Sequence, residues 1–202
     1  MSKSELETIS IIMVGDTSVG KSTLMKKFIS GQFSDSLAPT LGIELYKKEV
    51  TIDEKQYLYR IWDTCGQERF RSLSKTYFRN SDGIMLLFDL NSTNSFDNLS
   101  SWFVSIKDSG AEDIPLILVG TKCDLEANIS EETISNFINE NKNIQKYFKC
   151  SAKDNIGIEE PFYELGKLII KLIFPIRERS NSKIKIKKSK TMEERGKEKN
   201  CC

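Results

Sequence analysis

The chain has no histidine among its 202 residues. That absence removes a Ser/His/Asp triad, a histidine general base and a zinc site of the H-E-x-x-H kind. Any chemistry must rest on carboxylates, lysine, hydroxyls, amides or a bound metal. Cysteine is sparse: Cys65, Cys123, Cys150, Cys201 and Cys202 are odd in number and include no C-x-x-C pair. This argues against a disulfide framework or structural zinc, and for a reducing compartment. Long apolar runs are missing too. Stretches such as Ile114 to Val119 fall far short of a spanning helix, and Met1 to Thr8 is polar, with Glu5 and Glu7. The expectation is a protein neither secreted nor transmembrane.

What is present has the size and balance of one globular domain with an appendage, at 39% hydrophobic and 29% charged residues. The net charge of +1 hides an asymmetry: residues 177–202 carry ten Lys/Arg against four Asp/Glu, a net of +6 that leaves −5 for the rest. Such a run is expected to be a solvated, disordered end. The organisation expected is a short extension over residues 1–7, a domain over 8–174 and a basic tail over 175–202.

No internal repeat or low-complexity block precedes Pro175. Strand-length apolar runs alternate instead with stretches of helical period, the pattern of an α/β domain. Strands are expected at 10–14, 43–52, 56–62, 83–90, 114–120 and near 146–150, with a hairpin turn at Asp53-Glu54. Helices are expected at 22–29, near 68–79, and at 95–108, 130–141 and 157–173. Six strands and five helices fit a doubly wound sheet, whose ligand sits at the carboxyl ends of the strands. The chemistry-bearing motifs fall in those strand-to-helix loops.

The first is Gly15-Asp16-Thr17-Ser18-Val19-Gly20-Lys21-Ser22, followed by Thr23. It matches G-x-x-x-x-G-K-[ST] between a strand and a helix. Glycines let the backbone wrap close to phosphates, the helix N-terminus offers unpaired N–H groups, Lys21 can bridge β- and γ-oxygens, and the Ser22 hydroxyl can ligate Mg²⁺. Taken alone, this loop indicates only a nucleoside triphosphate. The second is Asp63-Thr64-Cys65-Gly66-Gln67-Glu68. Asp63 is placed to hold Mg²⁺ through a water, Gly66 can offer its N–H to a γ-phosphate, and Gln67 can orient an attacking water. The third is Thr121-Lys122-Cys123-Asp124. A carboxylate there can accept both the N1–H and the 2-amino N–H of guanine, a donor pair that adenine lacks. Lys122 can lay its stem along the base, and Ser151-Ala152-Lys153, 27 residues beyond Asp124, can supply an N–H to guanine O6.

With these residues in place, the sequence resembles the Ras superfamily of small GTPases, and within it the Rab family. The resemblance covers residues 8 to about 174 and the final cysteine pair. It is carried by GDTSVGKS at 15–22, Thr40 in APTLGIEL, WDTCGQERF at 62–70, TKCD at 121–124 and SAK at 151–153. Rab character comes from LGIEL at 41–45, RFRSL at 69–73, YFR at 77–79 and GIMLLFD at 83–89. The resemblance implies a P-loop NTPase small G domain with a six-stranded, mostly parallel sheet and five flanking helices, followed by a disordered tail. It implies GTP hydrolysis with Mg²⁺, with Thr40 closing on the metal and the γ-phosphate and Phe33 packing against guanine. Leu37, Ala38, Pro39, Thr40, Leu41, Gly42, Ile43, Glu44 and Leu45 would form the effector region, within the first of two switches near 37–45 and 66–79.

Three positions depart from the family pattern. Thr121 stands where Rab proteins have asparagine, so a contact to the base and the phosphate loop is expected to be shorter or lost. The Rho family tolerates threonine there, but the 27-residue spacing has no room for the helix which that family inserts. Cys65 stands where alanine is usual, beside the γ-phosphate, and Leu41 replaces isoleucine.

The terminal pair Cys201-Cys202 resembles the Rab substrate for double geranylgeranylation. Two lipid chains with a basic stretch make a stable anchor where one chain does not. The implied setting is the cytoplasmic face of intracellular membranes, cycling with the cytosol, in vesicle trafficking. The implied partners are effectors, an exchange factor, a GTPase-activating protein and a GDP-dissociation inhibitor, with no nucleic acid. Two other readings stand beside this switch: a scaffold locked in one nucleotide state, on account of Cys65 and Thr121, and a phosphotransferase using the same phosphate loop.

Overall fold

The computed structural model describes residues 6–34, 40, 42–66 and 76–175. Six strands form one sheet: β1 (Glu7–Val14), β2 (Ile43–Ile52), β3 (Lys55–Thr64), β4 (Gly83–Asp89), β5 (Leu116–Thr121) and β6 (Ile144–Lys149), in spatial order β2-β3-β1-β4-β5-β6. Only the β2–β3 hairpin is antiparallel; β1 pairs in parallel with both β3 and β4, and β5 and β6 continue the parallel run. Asp53 and Glu54 close the hairpin at φ of 48° and 66°, the left-handed pair that a two-residue turn requires. The mostly parallel six-stranded sheet expected from the sequence is the sheet found.

The named helices are α1 (Lys21–Ser30), α2 (Thr93–Asp97), α3 (Leu99–Asp108), α4 (Glu131–Glu140) and α5 (Glu160–Leu172). Residues 76–79 are helical as well, and the rest of the helix expected near 68–79 lies outside the described residues. The helix expected at 95–108 is instead two helices. Ser92 caps the first by accepting from the Ser95 amide, and the chain breaks at Asn98 before the second begins. Apolar periodicity runs through that break, because Phe96, Leu99 and Trp102 all face the same core, and so it did not register in the pattern.

The sheet is covered on both faces. Along β1, Ile9, Ile11 and Met13 point into one core and Ile12 and Val14 into the other, the period of two that a strand imposes. The first core is closed by α1 and α5, with Phe28 stacked on Phe162 at a centroid distance of 3.9 Å. The second is closed by α2, α3 and α4, around Trp102 and Phe88. Each such large side chain contributes about 1.5–3 kcal/mol of burial. The chain leaves β1 for β2 on one side of it and then crosses from β3 to β4 on the other, so a crevice opens at the carboxyl end of β1.

Candidate functional site

That crevice is a cleft of about 490 Å³. Thr17, Ser18, Gly20, Lys21, Ser22 and Thr23 line it from the first motif, Thr40 and Gly66 from the chain before β2 and after β3, and Thr121, Lys122, Asp124, Ala152 and Lys153 from the loops after β5 and β6, with Phe33 at its wall. Val19 is buried behind the wall, as is Ser151, and neither lines the cleft directly. Leu24, Ser34, Thr64, Cys65, Leu125 and Cys150 also line it. Of these only Cys65 is expected from the motifs to lie beside a ligand; the Thr64 hydroxyl is turned to the Met13 carbonyl instead.

The phosphate loop is shaped by close approach. A Cβ on Gly15, at φ 139°, would lie 2.1 Å from the Leu87 carbonyl oxygen, so no other residue fits there. Gly20 takes φ 92° just before α1, and Lys21 begins the helix. The Lys21 ammonium donates to the carbonyls of Gly15 at 2.8 Å and Asp16 at 2.7 Å. It is buried, and that desolvation pushes its pKa down to about 8 against the opposing pull of Asp63, Cys65 and Asp16. A phosphate seated against the ammonium would pull the same way as those groups and hold the lysine charged.

Three oxygens converge beside it. The Ser22 and Thr40 hydroxyls are 2.8 Å apart, and Thr40 Oγ1 lies 3.5 Å from Asp63 Oδ2. Asp63 is 1% exposed, and its Oδ1 is a buried oxygen without a hydrogen-bond partner. Burial raises its carboxyl pKa, opposed by Ser22, Lys21 and Thr40. An orphaned, desolvated carboxylate oxygen next to two hydroxyls is a donor set of hard oxygens that suits Mg²⁺. Gly66 closes over the loop: a Cβ there would lie 2.3 Å from the Thr17 nitrogen.

On the other side of the cleft, Thr121 ends β5. Its hydroxyl is 2.6 Å from the Val19 carbonyl and 2.9 Å from that of Phe88. Of the expected contacts to the base and the phosphate loop, the one to the phosphate loop is therefore kept by the shorter side chain. Lys122 takes φ 57°, and its ammonium pairs with Asp89 Oδ2 at 2.7 Å. Asp89 belongs to none of the three motifs; its only mark in the sequence is a charge ending the apolar run GIMLLFD. Asp124 Oδ1 accepts from the Ser151 hydroxyl at 2.6 Å, and Ser151 Oγ in turn accepts the Asp154 amide at 3.0 Å. The loops after β5 and β6 are also joined by the Cys123 amide, which donates to the Cys150 carbonyl at 3.1 Å.

Phosphate loop, hydroxyl–carboxylate cluster and buttressed aspartate thus share one cleft, and a model of the Ras family matches residues 10–171. The chain belongs to the Ras family. It is a GTPase of the Rab type. It is 36% identical over 165 residues to GTP-binding protein ypt2 of Schizosaccharomyces pombe, covering 81% of this chain and 82% of that one. To Ras-related protein Rab7 of Pisum sativum it is 34% identical over 171 residues, covering 81% and 82%. To Ras-related protein Rab-2B of Dictyostelium discoideum it is 36% identical over 160 residues, covering 79% of each.

Gln67, the residues Leu37, Ala38, Pro39 and Leu41 expected in an effector region, and Cys201 and Cys202 lie outside the described residues. Gly42, Ile43, Glu44 and Leu45 are described and lead into β2, the edge strand. Leu45 is 36% exposed and sits opposite Trp62, whose ring meets Tyr77 edge-on at 5.0 Å.

Proposed function

We propose that this Rab-type GTPase is a GTP/GDP switch of vesicle trafficking, which hydrolyses GTP with Mg²⁺ and recruits effectors when GTP is bound. The observation that carries this reading is the Ser22–Thr40–Asp63 cluster beside Lys21, at the opposite end of one cleft from Asp124. A triphosphate lying along the cleft would meet N–H groups of the phosphate loop and the Lys21 ammonium at its β- and γ-phosphates. Ser22, Thr40 and Asp63 would hold Mg²⁺, which when bound neutralises charge on the phosphate oxygens. Asp124 would accept from the guanine ring, held in plane by Ser151, while Lys122, steadied by Asp89, and Phe33 flank the base. Gly66 would offer its N–H to the γ-phosphate and Gln67 would orient the attacking water.

Because Thr40 and Gly66 would both contact the triphosphate end, loss of the γ-phosphate would release the two segments to which they belong. The apolar side chains of Leu45, Trp62 and Tyr77 would then offer a surface to an effector that senses the nucleotide. Geranylgeranyl groups on Cys201 and Cys202 would bind the protein to the cytoplasmic face of membranes. A GDP-dissociation inhibitor would return it to the cytosol, and an exchange factor and a GTPase-activating protein would drive the cycle. Single-turnover hydrolysis of bound GTP tests the catalytic part: Gln67→Leu should slow it while GTP affinity stays nearly intact. Equal rates for variant and wild type would remove Gln67 from the reaction.

A further inference from the structure

The phosphate loop contains a carboxylate where an anion-binding loop should least tolerate one. Asp16 follows Gly15 directly, and aspartate side chains at such positions readily hydrogen-bond backbone N–H groups a residue or two ahead. Those are the N–H groups a phosphate needs. A free Asp16 carboxylate would compete for them and would repel the ligand as well.

The Asp16 carboxylate is instead turned toward the α2–α3 junction. Oδ2 accepts from the Asn98 amide Nδ2 at 2.6 Å and Oδ1 from the Trp102 indole Nε1 at 2.9 Å. Asn98 is the residue at which the chain breaks between α2 and α3, and its side chain caps neither helix. Trp102 lies one turn further on, 1% exposed, with its ring set in the second core. An indole fixed in a core is a preorganised donor, and hydrogen bonds to an ionised acceptor are the stronger kind. The rest of Asp16 is engaged in the site itself. Its carbonyl accepts from Lys21 at 2.7 Å, and a Cβ on Gly66 would lie 2.3 Å from its carbonyl carbon.

We propose that Trp102 and Asn98 are positioning residues of the nucleotide site, which hold the Asp16 carboxylate away from the phosphates and leave the loop's N–H groups to the ligand. The inference rests on the reading of the cleft as a guanine-nucleotide site. It makes a helix pair that touches no nucleotide a determinant of nucleotide retention.

The test is release of GDP bearing a fluorescent methylanthraniloyl group, chased with excess GDP in Mg²⁺, from the full chain and its variants. Trp102→Phe keeps an aromatic ring in the core and removes the N–H. Release should quicken about tenfold. Asn98→Ala removes the second donor at an exposed position, so it stays folded even if the tryptophan variant does not, and release should quicken by a smaller factor. In an Asp16→Ala background neither substitution should quicken release further, a coupling that mere loss of helix packing would not produce. Unchanged release from folded Asn98→Ala and Trp102→Phe overturns the proposal, as does the same acceleration in the Asp16→Ala background. Wild-type chain that fails to bind the labelled nucleotide at all would instead overturn the underlying reading of the cleft, and the proposal with it.

Discussion

The hydroxyls of Ser22 and Thr40, 18 residues apart in sequence, lie 2.8 Å from one another at the mouth of the phosphate loop. One lies in the first turn of α1, a helix anchored in the core, and the other precedes β2. Their meeting point, with Asp63 beside it, is the place where a cation would tie the chain around Thr40 to the start of α1.

Ser22→Asn should therefore weaken Mg²⁺ binding and, through it, the triphosphate complex more than the diphosphate complex. The expected fall in GTP affinity is about tenfold or more with Mg²⁺ present, and much less in chelator. Nucleotide titrations in both conditions check this. Affinity that is unchanged with Mg²⁺ would take Ser22 out of the metal site.

Thr121→Val keeps the shape of the side chain and deletes the hydroxyl that lies against the Val19 and Phe88 carbonyls. Thr121 is 3% exposed, so a carbonyl left without its donor stays out of water and stability should fall by about 1–3 kcal/mol. Urea unfolding reads that loss. Because Val19 belongs to the phosphate loop, nucleotide release should also quicken. A variant as stable as the wild type would mean that the hydroxyl contacts are idle.

Asp124→Asn should cut GTP affinity about a hundredfold by removing a charged acceptor from two donors. Affinity for xanthosine triphosphate should rise, since its 2-oxo group accepts from the new amide. The asparagine carbonyl can still accept from the Ser151 hydroxyl, so the loops should keep their shape. Competition binding with both nucleotides decides the matter: an equal loss for the two would make Asp124 a structural residue.

For the terminal cysteines, the contributions of lipid and charge can be separated with salt. Burial of hydrocarbon is indifferent to screening, while the basic tail's attraction to anionic lipid fades at high salt. Cys201→Ser with Cys202→Ser should make the protein fully cytosolic, and either single change should leave weak, reversible binding. Neutralising Lys183, Lys185, Lys187, Lys188 and Lys190 should redistribute it among membranes without release. Fractionation that finds the double variant still on membranes would sink the anchor.

Much of this protein could be read from the chain alone, because the information is local. The alternation of strand-length apolar runs with helical periods gave the α/β class, and each chemical motif sits in a loop just after the carboxyl end of a strand: Gly15 after Val14, Cys65 after Thr64, Lys122 after Thr121. A doubly wound sheet brings those ends to one edge, so naming the loops came close to naming the site. The break at Asn98 was not legible, since the apolar faces of α2 and α3 point into the same core and the period runs on through it. Nor was Asp89, whose pairing with Lys122 crosses from one strand end to its neighbour.

What the tertiary structure alone decided is which distant residues meet. Sequence pattern reports whether a side chain will be buried, because burial follows the period of its own element. It carries no record of the partner, which depends on the order of strands and the layer a helix covers. Val19 and Thr121 are joined across 102 residues, and Asp16 and Trp102 across 86. Thr121 could be seen in the sequence as a departure at a known motif position, and only the packing of β5 against the phosphate loop made its shorter hydroxyl sufficient. Trp102 could be seen only as one more apolar residue on a helix, until the fold placed its single polar atom against the carboxylate of the phosphate loop.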